Sequence, residues 1–236
     1  MTALALTAEA VADAVAASAL TRTYGSGESA VHALRGVSLS IPAGQFTAIM
    51  GPSGSGKSTL MHLLAGLDTP DSGTVHVAGQ DITRMSDRQL TKLRRRHIGF
   101  VFQSFNLLPT LTAEENVVLP LVIAGSRPDA AAVDALLDRM GLLERRDHRP
   151  KELSGGQKQR VAVARALIAK PTVLFADEPT GNLDSRAGAE VLQLLREAVD
   201  RDGQTTIMVT HDPRAAAIAD RVLSLADGRV VSDSAA

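Results

Sequence analysis

The 236-residue sequence contains no cysteine and no tryptophan, a single tyrosine, Tyr24, and five phenylalanines. Without cysteine there is no disulfide framework and no thiolate metal site. Aromatics this scarce do not supply the interleaved aromatic and basic surface of a single-strand nucleic-acid binder. Lys and Arg (25) balance Asp and Glu (26), so a net charge of −1 gives no general pull toward nucleic acid or anionic lipid. Long apolar runs are missing too. Residues 117–124 are interrupted by Pro120 and fall far below the roughly 20 residues that cross a bilayer. Residues 1–20 carry Glu9 and Asp13 but neither Lys nor Arg, and so lack the basic start of a secretory signal.

What is present is ordinary for a globular protein: 44% hydrophobic and 22% charged residues, enough for a sizeable core. No internal repeat or low-complexity linker divides the chain. Residues 1–15 read as a flexible extension and 16–236 as one domain. Val37, Leu39 and Ile41 alternate with Ser38 and Ser40, the pattern of a half-buried strand. Residues 46–50 are apolar except for Thr47, end at Gly51, and precede a helix expected over 57–67. Two further apolar runs, 173–176 and 205–209, read as buried parallel strands ending just before Asp177 and His211. Between Gln103 and Lys170 the pattern turns helical. It includes a Thr112–Glu115 capping box and a helix from Asp129 to Met140 closed by Gly141. Around Asp227 and Gly228, two short strands form a hairpin over 221–231.

Gly51, Pro52, Ser53, Gly54, Ser55, Gly56, Lys57 and Ser58 match G-x-x-x-x-G-K-[ST] without a departure, and Thr59 continues into the helix. Glycines let backbone N–H groups wrap a phosphate, and the following helix points its positive end at it. Lys57 is expected to reach the β- and γ-phosphates of ATP, and the Ser58 hydroxyl to ligate Mg²⁺. Asp177 and Glu178 follow a buried strand, which delivers both carboxylates to the sheet edge where the loop lies. Asp177 is expected to hold Mg²⁺ and Glu178 to activate the attacking water. Either feature by itself is commonplace, a Gly-rich turn or an acidic turn before Pro179; together they point to nucleotide hydrolysis.

Leu153, Ser154, Gly155, Gly156 and Gln157 open a helix running to about Lys170, with Ser154 and Gln157 spaced as a capping box. Two glycines in a first turn cost helix stability about 1 kcal/mol each relative to Ala, which suggests close approach of another group to the backbone. Leu-Ser-Gly-Gly-Gln about 20 residues before Asp177 resembles the signature of ATP-binding-cassette transporter ATPases, and the resemblance extends over roughly residues 16–233.

It implies an α/β fold: a P-loop NTPase core with a mostly parallel sheet, an antiparallel β subdomain, and a helical insert at about 104–168. It also implies that Tyr24 stacks on adenine, that Gln103 links Mg²⁺ to the membrane partner, and that His211 is the switch histidine at the γ-phosphate. Gly181, Asn182, Leu183 and Asp184 match the loop that contacts a second cassette. In that family two cassettes stack head to tail, and the signature of one caps the nucleotide held by the other. The expected partners are therefore a second ATPase subunit, most simply another copy, and a transmembrane permease. The expected location is peripheral, on the cytoplasmic face of the membrane.

Residues 98–117, from Ile98-Gly99-Phe100-Val101-Phe102-Gln103 to Glu115-Asn116-Val117, are similar to the macrolide-export and lipoprotein-release branch. Lys158 stands where many members carry Gln. A kinase or GTPase reading has no use for residues 153–157, and no Asn-Lys-x-Asp motif occurs. A soluble cassette acting on ribosomes or DNA is the alternative. The basic cluster of Lys92, Arg94, Arg95, Arg96 and His97 reads as a solvated helix end.

Overall fold

The computed structural model describes residues 13–234. The chain opens with β1 (Asp13–Tyr24), β2 (Val31–Pro42) and β3 (Phe46–Met50), followed by α1 (Lys57–Leu64). Next come β4 (Ser72–Val77), the two-residue β5 (Gln80–Asp81), α2 (Asp87–His97) and β6 (Ile98–Phe102). Three helices, α3 (Ala113–Ile123), α4 (Ala130–Arg139) and α5 (Gly155–Leu167), fill the stretch before β7 (Val173–Asp177). The remainder is α6 (Ser185–Asp202), β8 (Thr205–Val209), the single-turn α7 (Pro213–Ala216), β9 (Arg221–Ala226) and β10 (Arg229–Asp233).

Two sheets result. The larger has the order β10-β9-β3-β8-β7-β6, parallel throughout except for β10, which returns antiparallel at the edge. The smaller, β2-β1-β4-β5, is antiparallel. Continuous apolar strands are what a parallel sheet covered on both faces requires, and alternate residues of each feed opposite cores. Leu174 and Ala176 join Phe46, Ala48 and Met208 against α3 to α6, whereas Val173 and Phe175 join Ile49, Ile207 and Val209 against α1 and the antiparallel sheet. This architecture is the expected α/β fold.

Several expected boundaries shift. The helix expected over 57–67 ends at Leu64, and Gly66 follows at φ 60°. The signature helix ends at Leu167, short of Lys170, which adopts φ 48°. Residues 1–12 of the expected extension lie outside the described residues. Residues 13–15 are not extension but the start of β1: Ala14 and Val15 are buried, and Val15 pairs with both Ile41 and Val77. Register shifts between Ala17 and Leu20 break the alternation, so small residues there give no readable period. The basic cluster does close α2. Arg94 donates to Gly66 O at 2.6 Å, and the cations sit at the negative end of the helix dipole.

Candidate active site

Strand register builds the site. Phe102 of β6 lies opposite Asp177 of β7, Asp177 opposite Val209 of β8, and Val209 opposite Ile49 of β3. The residues that follow these positions therefore leave the sheet along one edge: Gln103, Glu178, Thr210 and the loop from Gly51. The carboxyl edge of an open parallel sheet is where its ligands bind.

The loop after β3 is tightly confined. Gly51 has φ 150°, and a Cβ there would lie 2.1 Å from Leu225 O; at Gly56, with φ 102°, it would lie 2.4 Å from Ala33 O. Any side chain at either position would push the loop off its neighbours. Lys57 is buried, and its Nζ donates to Gly51 O and Pro52 O at 2.8 Å each, leaving one of its three donors for an anion. Gly56 caps α1 with no side-chain hydrogen bond, so no side chain occupies the first N–H groups of that helix. Ser55 Oγ is buried without a partner. An uncapped helix start, a confined lysine and an orphaned hydroxyl fit a bound phosphate.

A cavity of about 650 Å³ opens over this loop, bordered by Tyr24, Ser53, Gly54, Gly56, Lys57, Ser58, Thr59, Glu178 and His211. Glu178 sits in the left-handed region at φ 45°, its N–H donating to Val209 O at 2.9 Å. That conformation is unusual for a side-chain-bearing residue and aims the carboxylate off the strand direction. His211 Nδ1 lies 2.8 Å from Glu178 Oε1. Asp177, half-buried beside them, has its pKa raised, first by burial, with His62 opposing, Glu178 reinforcing and Lys57 opposing. Among the described residues no cluster of three or more His, Asp or Glu side chains is arranged to hold a metal ion. The hard oxygens of Ser58 and Asp177 suit Mg²⁺, which is commonly held by one or two protein groups plus phosphates and water.

Other expected site residues stand outside this cavity. Gln103 is exposed and exchanges hydrogen bonds with Asn182: Gln103 Nε2 donates to Asn182 Oδ1 at 3.3 Å, and Asn182 Nδ2 to Gln103 O at 3.1 Å. Ser154 and Gln157 form the expected capping box, Gln157 N–H to Ser154 Oγ at 3.2 Å and Ser154 N–H to Gln157 Oε1 at 2.8 Å. A Cβ at Gly156 would lie 2.9 Å from Ala187 Cβ, so the close approach expected there is made by α6 of the same chain. Asp184 caps α6, accepting from the N–H groups of Arg186 and Ala187.

Two residues overlooked in the sequence tie these parts together. Gln159, fully buried, donates from Nε2 to Phe102 O at 3.2 Å and Pro179 O at 2.6 Å, joining α5 to the ends of β6 and β7. Arg165 donates to Phe105 O at 2.8 Å and Asn106 O at 2.6 Å, clamping two left-handed residues just beyond Gln103. A glutamine just before the largely apolar run from Val161 to Leu167 on α5 is the one local signal that could have found Gln159.

A family model described as ABC transporter matches residues 34–181. The macrolide export ATP-binding/permease protein MacB of Chlorobaculum tepidum is 52% identical over 216 residues, which cover 91% of this chain and 33% of that protein. The lipoprotein-releasing system ATP-binding protein LolD of Geobacter metallireducens is 49% identical over 216 residues, covering 91% of this chain and 96% of that one. This chain thus spans about a third of the length of its MacB relatives and nearly all of LolD. Among solved structures, a dimeric post-hydrolysis state of the ATP-binding cassette MJ0796 bound to ADP and Pi superposes with a TM-score of 0.85 at 42% identity. It covers 93% of this chain and 97% of that one.

Proposed function

The chain belongs to the ABC transporter family, and from that membership we propose that it is an ATP-hydrolysing cassette which closes on a second cassette to drive a transmembrane permease. The observation that carries this reading is the convergence of Ser53, Gly54, Gly56, Lys57 and Ser58 of the loop with Glu178 and His211 around one cavity. Among the described residues no helix is long and apolar enough to cross a membrane. We assign the spanning part to a permease, joined to this chain or separate, and propose that the cassette sits at the cytoplasmic face of the membrane.

Backbone N–H groups of the loop and the Lys57 ammonium bind the phosphates, and the Tyr24 ring receives the adenine. Ser58 and Asp177 would hold Mg²⁺, with Gln103 as a further ligand on closure, and the ion would supply neutralisation of the negative charge on the phosphate oxygens. Glu178 orients a water and takes its proton as the water oxygen bonds to the γ-phosphorus. The bond from that phosphorus to the bridging oxygen breaks, and ADP carries away the electron pair. His211, hydrogen-bonded to Glu178, holds that carboxylate in place. Residues 154–157 border no part of this cavity, which supports their use on the nucleotide of a partner cassette, with Asp184 and its loop at the contact.

The similarity to MacB and LolD supports the macrolide-export and lipoprotein-release branch. The test pairs wild type with Glu178→Gln. Wild type should hydrolyse ATP, and the variant should lose turnover by about 100-fold or more while forming ATP-dependent dimers. Full activity in the variant would remove Glu178 as the base. Co-purification with a multi-span membrane protein supports the transport reading; a complex holding only ribosomes or DNA overturns it.

A further inference from the structure

Tyr24 ends β1 and is the one tyrosine of the chain, 40% exposed at the rim of the cavity. Its ring is not free to turn. The hydroxyl donates to Asp68 Oδ2 at 2.8 Å, and the Arg22 guanidinium carbon stands 4.8 Å from the ring centroid, over its face. Arg22 in turn grips the same carboxylate with two donors, Nε to Oδ2 at 3.0 Å and Nη2 to Oδ1 at 2.8 Å. A third donor, Nη1, reaches Asp71 Oδ1 at 3.1 Å, and Asp71 Oδ2 accepts the Thr23 N–H at 2.7 Å.

Asp68 does not belong to the β1 sheet. It lies just past α1, the helix that starts in the phosphate loop, and its N–H points back to His62 O of that helix at 3.4 Å. The side chain is held again by the Thr69 N–H, which donates to Oδ1 at 2.7 Å. Burial alone would raise the pKa of Asp68; the hydrogen bonds from Tyr24 and Thr69 and the charge of Arg22 outweigh it and lower it, so the acceptor stays ionised at neutral pH. Ion pairs this exposed add little to stability. Their effect is geometric: one carboxylate connects the ring on the antiparallel sheet to the helix rising from the phosphate loop.

We propose that Asp68 and Arg22 are positioning residues of the nucleotide site, locking the plane and distance of the Tyr24 ring relative to the phosphate loop so that its uncovered face is preset for a purine base. This rests on the reading of Tyr24 as the base-stacking residue. With Arg22 over one face, the opposite face is left for the base, and a ring already tethered loses little freedom on binding.

The test is a double-mutant cycle on the full chain, with dissociation constants measured for ATP and for inorganic tripolyphosphate, which has no base. Tyr24→Phe and Asp68→Ala should each weaken ATP by about 3- to 10-fold, part of the loss expected for a whole stacking contact. The double variant should be no worse than the weaker single, and tripolyphosphate binding should stay within about twofold throughout. Additive losses overturn the proposal, as do equal losses of ATP and tripolyphosphate in Asp68→Ala. If Asp68→Ala fails to fold, Tyr24→Phe decides alone, and unchanged ATP affinity refutes the tether. Tyr24→Ala tests the underlying reading separately: ATP affinity as in wild type removes base stacking at Tyr24, and the proposal with it.

Discussion

His211 and Glu178, separated by 33 positions in the chain, meet at 2.8 Å between Nδ1 and Oε1. The pair forms because β7 and β8 are parallel neighbours with Asp177 opposite Val209, so the next residues of both strands emerge together. His211→Ala leaves the phosphate loop intact and deprives the Glu178 carboxylate of its imidazole partner. Turnover should fall by about 100-fold or more while ATP still binds, measured as steady-state phosphate release beside equilibrium binding. Retained turnover would reduce the contact to packing.

Gly51 and Gly54 separate two costs that are usually confounded. Both have positive φ, but a Cβ at Gly51 meets Leu225 O at 2.1 Å, whereas one at Gly54 meets nothing within 4 Å. Gly54→Ala should cost only the backbone strain, about 1–2 kcal/mol. Gly51→Ala adds a clash with fixed backbone and should cost clearly more, with loss of ATP binding. Thermal denaturation of the two variants would show it, and equal melting temperatures would refute the confinement.

Gln159→Leu keeps the side chain's volume and removes its donors. Phe102 O keeps the Phe105 N–H at 3.2 Å, whereas Pro179 O would lose the donor it has here, a penalty of about 1–3 kcal/mol for a buried group left unsatisfied. Urea unfolding should therefore show a loss of about 1–3 kcal/mol. A loss below about 1 kcal/mol would mean that water or a local shift replaces the bridge.

Acid stability should carry a small contribution from Asp68. Tyr24, Arg22 and the Thr69 N–H face it, with Arg22 shared with Asp71, and its pKa lies below that of an unfolded-chain aspartate, about 3.9. The stabilisation is fully present above that unfolded value and is lost as pH falls through the lower folded one. Below about pH 4, the melting temperature of wild type should drop more steeply than that of Asp68→Asn. Parallel curves would show that the carboxylate gains nothing from its partners.

The parts of the site that are local in sequence were legible. Residues 51–58 are contiguous, Asp177 and Glu178 end a run of buried apolar residues, and the capping boxes at Thr112 and Ser154 need only three-residue spacing. The parallel sheet was legible because its central strands are apolar throughout. What escaped reading joins residues far apart with no pattern between them: Tyr24 to Asp68 across 44 positions, Gln159 to Phe102 across 57, and Arg165 to Phe105 across 60. The first residues of β1, 13–15, escaped for another reason, since bulges on this strand erase the period-two signal that identified β2. The resemblance to a family supplied the roles of Gln103, His211 and Tyr24, and the structure brings two of these to the cavity rim.

Residues 154–157 and the loop at 51–59 are presented by one chain but border no common cavity. Two copies that complete each other's sites must do so about a twofold axis, through a surface that is its own complement. Such an arrangement closes over nucleotides in pairs. The equilibrium between separate and joined cassettes would then scale with the square of ATP concentration, giving a threshold response in place of a proportional one.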